Sequence, residues 1–527
     1  MTPGQGWVRW VEIEKPSLGN NTADVQRLEK SLMDELQTSR VRIPLSVVQI
    51  LPSRLRSWGF RAKAVVFRDR DAWTVIDLIS PDSEKPILGA AIDIGTTRIE
   101  MSLLNLETGV EIARTGFDNP QTLIGPDVLT RIHYSAKPGG LRELNRLVTE
   151  AVNQNLSLLC TANGHATEDV YLVTAAGNTA MTHLFLGMES FDLIREPYIP
   201  CTNIPDTLTA RSLHLDIHEN ALVYLFPNIG SYFGGDLIAG ILFADLDKKQ
   251  DPCLMVDVGT NAEIVVGSGD FLIACAGAAG PALEGGMSKM GMTAKPGVID
   301  RVWVDPDTRE IRFHAIEDQK PVGICGSGMI DLAAALFVSG RMDIRGRFSE
   351  AACGQSLMER DGINSFVLVE AGLSGTGEPI LLSQVDLNSL TSSKAAMYTI
   401  LEVIVKNTAG LEFTDLKKFY VAGTFGSFIN PVSAISIGML PDIPLSVFEV
   451  LGNSSLGGAK LLLTRPGAFD RILKIRQFIT YMELNVNQEF MNMFSGAKFY
   501  PHTDAARFPS VRILKDGGPG GKCGLFP

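Results

Sequence analysis

Asp93 and Asp257 each lie at the end of an apolar strand pattern, directly before a glycine turn. Ala91-Ile92-Asp93-Ile94-Gly95-Thr96-Thr97 runs on into Ile99, Met101 and Leu103. Met255-Val256-Asp257-Val258-Gly259-Thr260-Asn261 runs on into Ala262, Ile264 and Val266. Glycine permits the tight turn and lets the backbone approach a ligand closely. Successive amides of Gly95, Thr96 and Thr97, and of Gly259, Thr260 and Asn261, can then form an anion nest for phosphoryl oxygens, with Thr and Asn side chains as further donors. Two carboxylates facing one cleft repel each other unless a cation lies between them. Mg²⁺ suits that place, because it keeps several waters and takes one or two carboxylates plus phosphate oxygens. The repeat therefore predicts ATP and Mg²⁺ held by the two halves of a duplicated domain, with Asp93 and Asp257 on the metal side.

Two further turns join this set. Gly423-Thr424-Phe425-Gly426-Ser427-Phe428 follows the apolar run Phe419 to Ala422, and its small residues (Gly423, Thr424, Gly426) would let a flat adenosine lie against the backbone. Ile324-Cys325-Gly326-Ser327-Gly328-Met329 leads into a helical pattern from Ile330 to Leu336. The start of that helix, at Gly326 and Ser327, is a natural anion site. Cys325 reads as a small packed residue. No G-x-x-x-x-G-K-[ST] loop occurs, and no G-x-G-x-x-G opens a helix after the first strand, so the other two common nucleotide fingerprints are missing. His214 and His218 lie four apart beside Glu219, and they read as a solvated polar stretch rather than metal ligands.

These turns need strands and helices to hold them. Residues 1–87 read as a small α/β unit. Val25, Leu28, Leu32 and Leu36 recur at helical spacing, a second helix opens at Pro44, and a hairpin joins Ala64–Phe67 to Trp73–Ile76. Residues 88–248 and 249–440 read as the two repeats, 441–511 as a helical return segment and 512–527 as a flexible tail. A weaker second pair supports the duplication: Tyr171-Leu172-Val173-Thr174-Ala175-Ala176-Gly177-Asn178 resembles Phe419-Tyr420-Val421-Ala422-Gly423-Thr424.

Composition excludes several classes. The formal net charge is −12, which speaks against nucleic acid as the main partner. No run of about 18 uncharged apolar residues appears, so no membrane span is expected. Seven cysteines lie far apart with no C-x-x-C pair, which fits a reducing, cytoplasmic setting and no compact zinc or iron–sulfur motif.

The order of these motifs resembles the superfamily of actin, sugar kinases and heat-shock chaperones. The implied fold is α/β, a duplicated actin-like (ribonuclease H-like) ATPase core preceded by the small α/β unit. That resemblance nominates Gly234-Gly235-Asp236-Leu237-Ile238-Ala239-Gly240-Ile241 as the first connecting helix, with Asp236 orienting the attacking water or a substrate hydroxyl. It nominates Asn430–Gly438 as the second connecting helix, crossing the first closely through Ala434 and Gly438.

Within the superfamily, most of the chain is similar to the reductive activators of corrinoid proteins. The matching stretches are Asp93-Ile94-Gly95-Thr96-Thr97, Gly177–His183, Gly277–Gly286, Gly323–Gly328, Leu451-Gly452-Asn453-Ser454-Ser455-Leu456 and Phe508-Pro509-Ser510-Val511. The resemblance implies an ATPase that returns an inactive cob(II)alamin protein to the cob(I)alamin state. Many such activators carry a plant-type ferredoxin domain, whereas this sequence has no C-x₄-C-x₂-C run and a single tail cysteine, Cys523. The expected partners are thus a corrinoid protein and a separate ferredoxin-type electron donor, and a homodimer is compatible with the sequence. Two rival readings share the fold: a small-molecule kinase with Asp236 as base, and a nucleotide-gated binding module for another metalloprotein.

Overall fold

The N-terminal pattern folds as its periodicities require. In the computed structural model, which describes residues 6–70, 72–258, 262–277, 291–292, 294–360, 362–423, 429–483 and 488–513, this region holds β1 (Val8–Glu12), α1 (Asp24–Leu36), β2 (Val41–Arg42), α2 (Leu45–Ser57), β3 (Arg61–Asp69) and β4 (Ala72–Ile79). The strands form one sheet in the order β1-β3-β4-β2, with β3 and β4 as the expected antiparallel hairpin. Leu28 and Leu32 of α1 and Val47, Leu51 and Leu55 of α2 are buried against it, one apolar stripe per helix.

The first repeat then builds β5 (Leu88–Ile94), β6 (Arg98–Asn105), β7 (Glu111–Asp118), α3 (Val128–Ser135), α4 (Gly140–Ala162), β8 (Val170–Ala176), α5 (Thr179–Leu186), β9 (Leu208–Thr209), β10 (Leu222–Leu225) and α6 (Gly235–Phe243). Its sheet has the order β7-β6-β5-β8-β10-β9. The first three strands are an antiparallel meander, and β8 and β10 extend it in parallel from the β5 side. Leu144, Val148, Val152 and Leu156 bury one face of α4 in this core.

The second repeat holds β11 (Cys253–Val258), β12 (Ala262–Gly267), β13 (Leu272–Gly277), β14 (Val298–Val304), β15 (Ile311–Ala315), β16 (Gly323–Ile324), α7 (Gly326–Val338), α8 (Glu350–Cys353), β17 (Leu357–Arg360), β18 (Ile363–Val369), β19 (Ile380–Ser383), α9 (Gln384–Glu402), β20 (Lys418–Ala422), α10 (Pro431–Ser436) and β21 (Phe448–Gly452). Its large sheet runs β21-β20-β11-β12-β13-β22, with β22 (Ile479–Glu483) arriving late in the chain. Again an antiparallel meander of three strands is extended in parallel from its first strand. Counted within each repeat, both sheets share the core third-second-first-fourth, continued past the fourth by one more parallel strand, β10 or β21. The weaker sequence pair thus falls on equivalent strands, β8 and β20. Every residue of α7 is buried, as expected of a helix that is apolar all round.

The chain divides into two compact units, Met1–Ala244 with Ser454–Phe478, and Asp245–Asn453 with Ile479–Pro527. The returning piece of the first unit comprises α11 (Ser454–Thr464) and α12 (Ala468–Phe478). It is tied in at several points: Trp7 Nε1 donates to the Leu462 carbonyl at 2.7 Å, and Thr174 Oγ1 to the Ala459 carbonyl at 2.9 Å. The helix that crosses α6 within this unit is α11. A Cβ placed on Gly458 would stand 2.1 Å from the Ala239 carbonyl oxygen, and one on Gly457 2.5 Å from the Phe243 ring. This corrects the expectation that Ala434 and Gly438 make that crossing. The helix of Ala434, α10, packs on α7, and Gly438, just beyond its end, lies against the Pro501 carbonyl. The last helix, α13 (Gln488–Ala497), packs on α9. Among the described residues no helix is long and apolar enough to cross a membrane.

Candidate functional site

The turn after β5 is shaped by what cannot fit in it. A Cβ on Gly95 would lie 2.2 Å from the Arg98 carbonyl oxygen, so only glycine allows the chain to turn back so sharply. The turn's carbonyls are held by a residue that the sequence reading missed. Asn119 is fully buried, donates from Nδ2 to the Gly95 carbonyl at 2.9 Å, and donates from its backbone amide to the Thr97 carbonyl at 2.8 Å. Thr96 is also buried, and its hydroxyl accepts from Asn178 Nδ2 at 3.0 Å. Asn178 in turn caps α5, accepting the Met181 amide at 2.9 Å.

From Asn178 the contacts lead to Asp236. Asp93 pairs with Ala176 across β5 and β8. The next residue, Gly177, approaches Ile94 so closely that a Cβ would stand 2.9 Å from its carbonyl. The Gly177 carbonyl accepts the Asp236 amide at 3.3 Å. Gly234 and Gly235 let α6 start against this backbone: a Cβ on Gly234 would meet Asn178 Cα at 2.4 Å, and one on Gly235 the Phe226 carbonyl at 2.6 Å. Asp236 lies in the first turn of α6, where its charge suits the helix dipole, and its Oδ1 accepts the Leu237 amide at 2.8 Å. Asp93, Gly95, Thr96, Thr97 and Asp236 are therefore brought together by three strand ends and one helix start. Asp93 Oδ1 also accepts a hydrogen bond from Ser455 Oγ at 2.7 Å, across 362 positions of sequence.

In the second unit Asp257 repeats the register of Asp93. Asp93 lies opposite Glu100 on one side and Ala176 on the other, and Asp257 lies opposite Glu263 and Ala422. Each aspartate thus has a glutamate on the neighbouring antiparallel strand. Glu100 is answered by Arg114 and more distantly by Arg98, which offsets the like-charge opposition. Gly259, Thr260 and Asn261, together with Thr424 and Gly426, lie outside the described residues. Gly423 follows β20 with φ of 85° and donates its amide to the Gly452 carbonyl at 3.0 Å.

At the start of α7 the Ser327 hydroxyl is committed inward, donating to the Asp300 carbonyl at 3.1 Å with Cys325 Sγ also 3.1 Å away. Its side chain is nearly inaccessible, and Cys325 is buried as expected. What remains there for an anion is the set of first-turn amides, including those of Gly326 and Ser327, which have no intrahelical acceptor. Asp331, one turn on, accepts the Val302 amide at 3.2 Å. Burial pushes its carboxyl up to about 6, against the opposing pull of the Ser433 hydroxyl and that amide.

The histidine pair does not behave as a solvated stretch throughout. His218 packs on Tyr171 with ring centroids 4.3 Å apart and faces Asp77 at 3.4 Å. Burial alone would raise the Asp77 carboxyl, but His218, Arg54 and the Leu78 amide hold it below its usual range. Among the described residues no three His, Cys, Asp or Glu side chains form a metal cage. A hard ion held by one or two carboxylates and by phosphate oxygens fits this donor set, as does a phosphate group against the Cβ-free backbone at Gly95, Gly177 and Gly234.

Comparison with known proteins is consistent along the chain. A family model described as the C-terminal domain of RACo, the ASKHA domain, matches residues 251–512. Models of the RACo middle region and the RACo linker region match residues 88–249 and 7–85. The corrinoid activation enzyme RamQ of Eubacterium limosum is 32% identical over 429 residues, spanning 80% of this chain and 72% of that protein. The [Co(II) methylated amine-specific corrinoid protein] reductase of Methanosarcina barkeri is 24% identical over 447 residues, 77% of this chain and 76% of that protein. The solved structure of a reductive activator for corrinoid, iron-sulfur protein matches with a TM-score of 0.85 at 33% identity, covering 96% of this chain and 80% of that one.

Proposed function

The chain belongs to the RACo family of reductive activators of corrinoid proteins, and from that premise we propose that it hydrolyses ATP to promote reduction of a partner's inactive cob(II)alamin to cob(I)alamin. The observation that carries this reading is the duplicated strand–glycine turn. Two sheets with the same four-strand core each present an aspartate at the same register, Asp93 and Asp257, and in the sequence a glycine follows two residues later in both. When bound, Mg–ATP supplies the free energy of γ-phosphate hydrolysis. Asp93 and Asp257 hold the metal, directly or through its waters. The amides of Gly95, Thr96 and Thr97, of Gly259, Thr260 and Asn261, and of Gly326 and Ser327 take phosphate oxygens. Gly423, Thr424 and Gly426 pass along the adenosine. Asp236 orients the attacking water and accepts its proton.

The reduction itself adds one electron to cob(II)alamin. Among the described residues the thiols are Cys160, Cys253, Cys275, Cys325 and Cys353, all buried, and the exposed Cys201. No spacing among the cysteines suits an iron–sulfur cluster, so the electron in this scheme comes from a separate ferredoxin-type donor. ATP binding favours the conformation with the higher affinity for the partner's reducible state, which is ordinary linkage.

The test combines two measurements on the purified protein with a cob(II)alamin-loaded corrinoid protein and a reduced ferredoxin: phosphate release and the optical spectrum of cob(I)alamin. ATP should accelerate cob(I)alamin formation, and the corrinoid protein should change the rate of phosphate release. Asp236→Asn should slow hydrolysis about 100-fold or more while nucleotide affinity stays within a few-fold. If the corrinoid protein neither binds nor alters turnover, the activator reading fails. A phosphorylated small-molecule product would replace it with the kinase reading.

A further inference from the structure

Ser455, in the returning segment, reaches Asp93, a proposed metal-side aspartate, and the way its helix is held gives that contact a purpose. The hydroxyl donates to Asp93 Oδ1 at 2.7 Å, and Ser455 is 5% exposed. It lies in the first turn of α11, where both the hydroxyl and the helix dipole favour a negative carboxylate. The rest of α11 is fixed independently of Asp93. Thr174 on β8 holds the Ala459 carbonyl, Trp7 holds the Leu462 carbonyl, and Gly458 lies against the backbone of α6 at Ala239. α6 is the helix that begins with Asp236. One rigid helix therefore contacts the Asp93 carboxylate at its start and the helix of Asp236 along its side.

We propose that Ser455 is a positioning residue that fixes the Asp93 carboxylate in the orientation needed to hold the metal of the bound nucleotide. The inference rests on the nucleotide reading above and extends it to a residue that touches neither metal nor phosphate. A carboxylate held by a fixed donor is preorganised, so its orientation is set before the metal binds. The neighbouring Ser454 provides a matched control. It is 1% exposed, sits in the same turn, and its hydroxyl has no hydrogen-bond partner among the described residues.

The experiment is an equilibrium titration of the full chain with a fluorescent ATP analogue, first with Mg²⁺ varied and then in excess EDTA. Ser455→Ala should raise the Mg²⁺ half-saturation concentration about 10-fold, the lower end of what removing such a partner usually does. Metal-free affinity should stay within about twofold. Ser455→Thr, which keeps the hydroxyl, should recover most of the Mg²⁺ dependence, and Ser454→Ala should match the wild type. A wild-type Mg²⁺ midpoint in Ser455→Ala, alongside a lost Mg²⁺ dependence in Asp93→Ala, would overturn the proposal. Equal loss of metal-free and metal-dependent affinity in Ser455→Ala, with a lowered melting temperature and no rescue by threonine, would also overturn it by showing a merely structural role. An Asp93→Ala protein that keeps its Mg²⁺ dependence would instead sink the nucleotide reading beneath it.

Discussion

Asp331 shows how a carboxyl outside the proposed chemistry sets a pH dependence. Burial raises it to about 6 in the folded chain, above the value of roughly 3.9 in an unfolded one. The native state therefore holds this proton more tightly than the unfolded state. Its contribution to stability is fully present below about pH 4, is lost as pH rises through about 6, and stays lost above. Asp331→Asn should accordingly stabilise the second unit by about 2 kcal/mol at pH 8, with a smaller gap at pH 5, read from urea denaturation at the two pH values. The equivalent register of Asp93 and Asp257 was legible because a motif that appears twice is hard to produce by chance. Asn119, Asn178 and Ser455 were not. Each is a common polar residue whose role depends on a partner elsewhere in the fold, and no local pattern marks an asparagine that will hold the carbonyls of a turn.

At the scale of elements, the close packing of α11 on α6 carries the sharpest expectation. Gly458→Ala would place a methyl 2.1 Å from the Ala239 carbonyl oxygen, a backbone atom that cannot swing aside. The two helices would have to separate, at a cost of about 1–3 kcal/mol, and the melting temperature of the first unit should fall by several degrees. Gly467, with open space around it, is the comparison site, and alanine there should leave the melting temperature nearly unchanged. Strands, helices and the hairpin of the N-terminal sheet followed from periodicity, because burial on one face imposes a regular pattern. The partner of α6 did not follow. Small residues four apart, such as Ala434 and Gly438, signal a close approach without saying to what. Their actual neighbours, α7 and Pro501, are set by topology.

For the whole molecule, the four-strand core that the two large sheets share makes duplication a property of the fold as well as of a motif. The family and the fold were both legible from motifs spread over most of the chain, since each marks a tight backbone approach that few residues satisfy. A ligand that binds only the native state adds stability by mass action, about 2.7 kcal/mol at one hundred times its dissociation constant. Mg–ATP should therefore raise the unfolding temperature of the full chain in a concentration-dependent way. Gly95→Ala, which forces a methyl onto the Arg98 carbonyl oxygen, should lose that rise. An equal rise in both proteins would remove the turn after β5 from the proposed nucleotide site.

The late return of Ser454–Phe478 to the first unit also constrains how the protein comes into being on the ribosome. The strands β5, β8 and β10 and the helix α6 emerge early, but the helix that supplies Ser455 emerges only after the core of the second unit has been made. At about 5–20 residues per second, the nascent first unit waits on the order of ten to forty seconds with Ala239 and Phe243 lacking their cover and Asp93 lacking its serine. During that interval the growing chain has an exposed apolar helix face that invites chaperone binding, and its proposed nucleotide site is incomplete. On the proposed reading, ATP hydrolysis could begin only when synthesis is nearly finished.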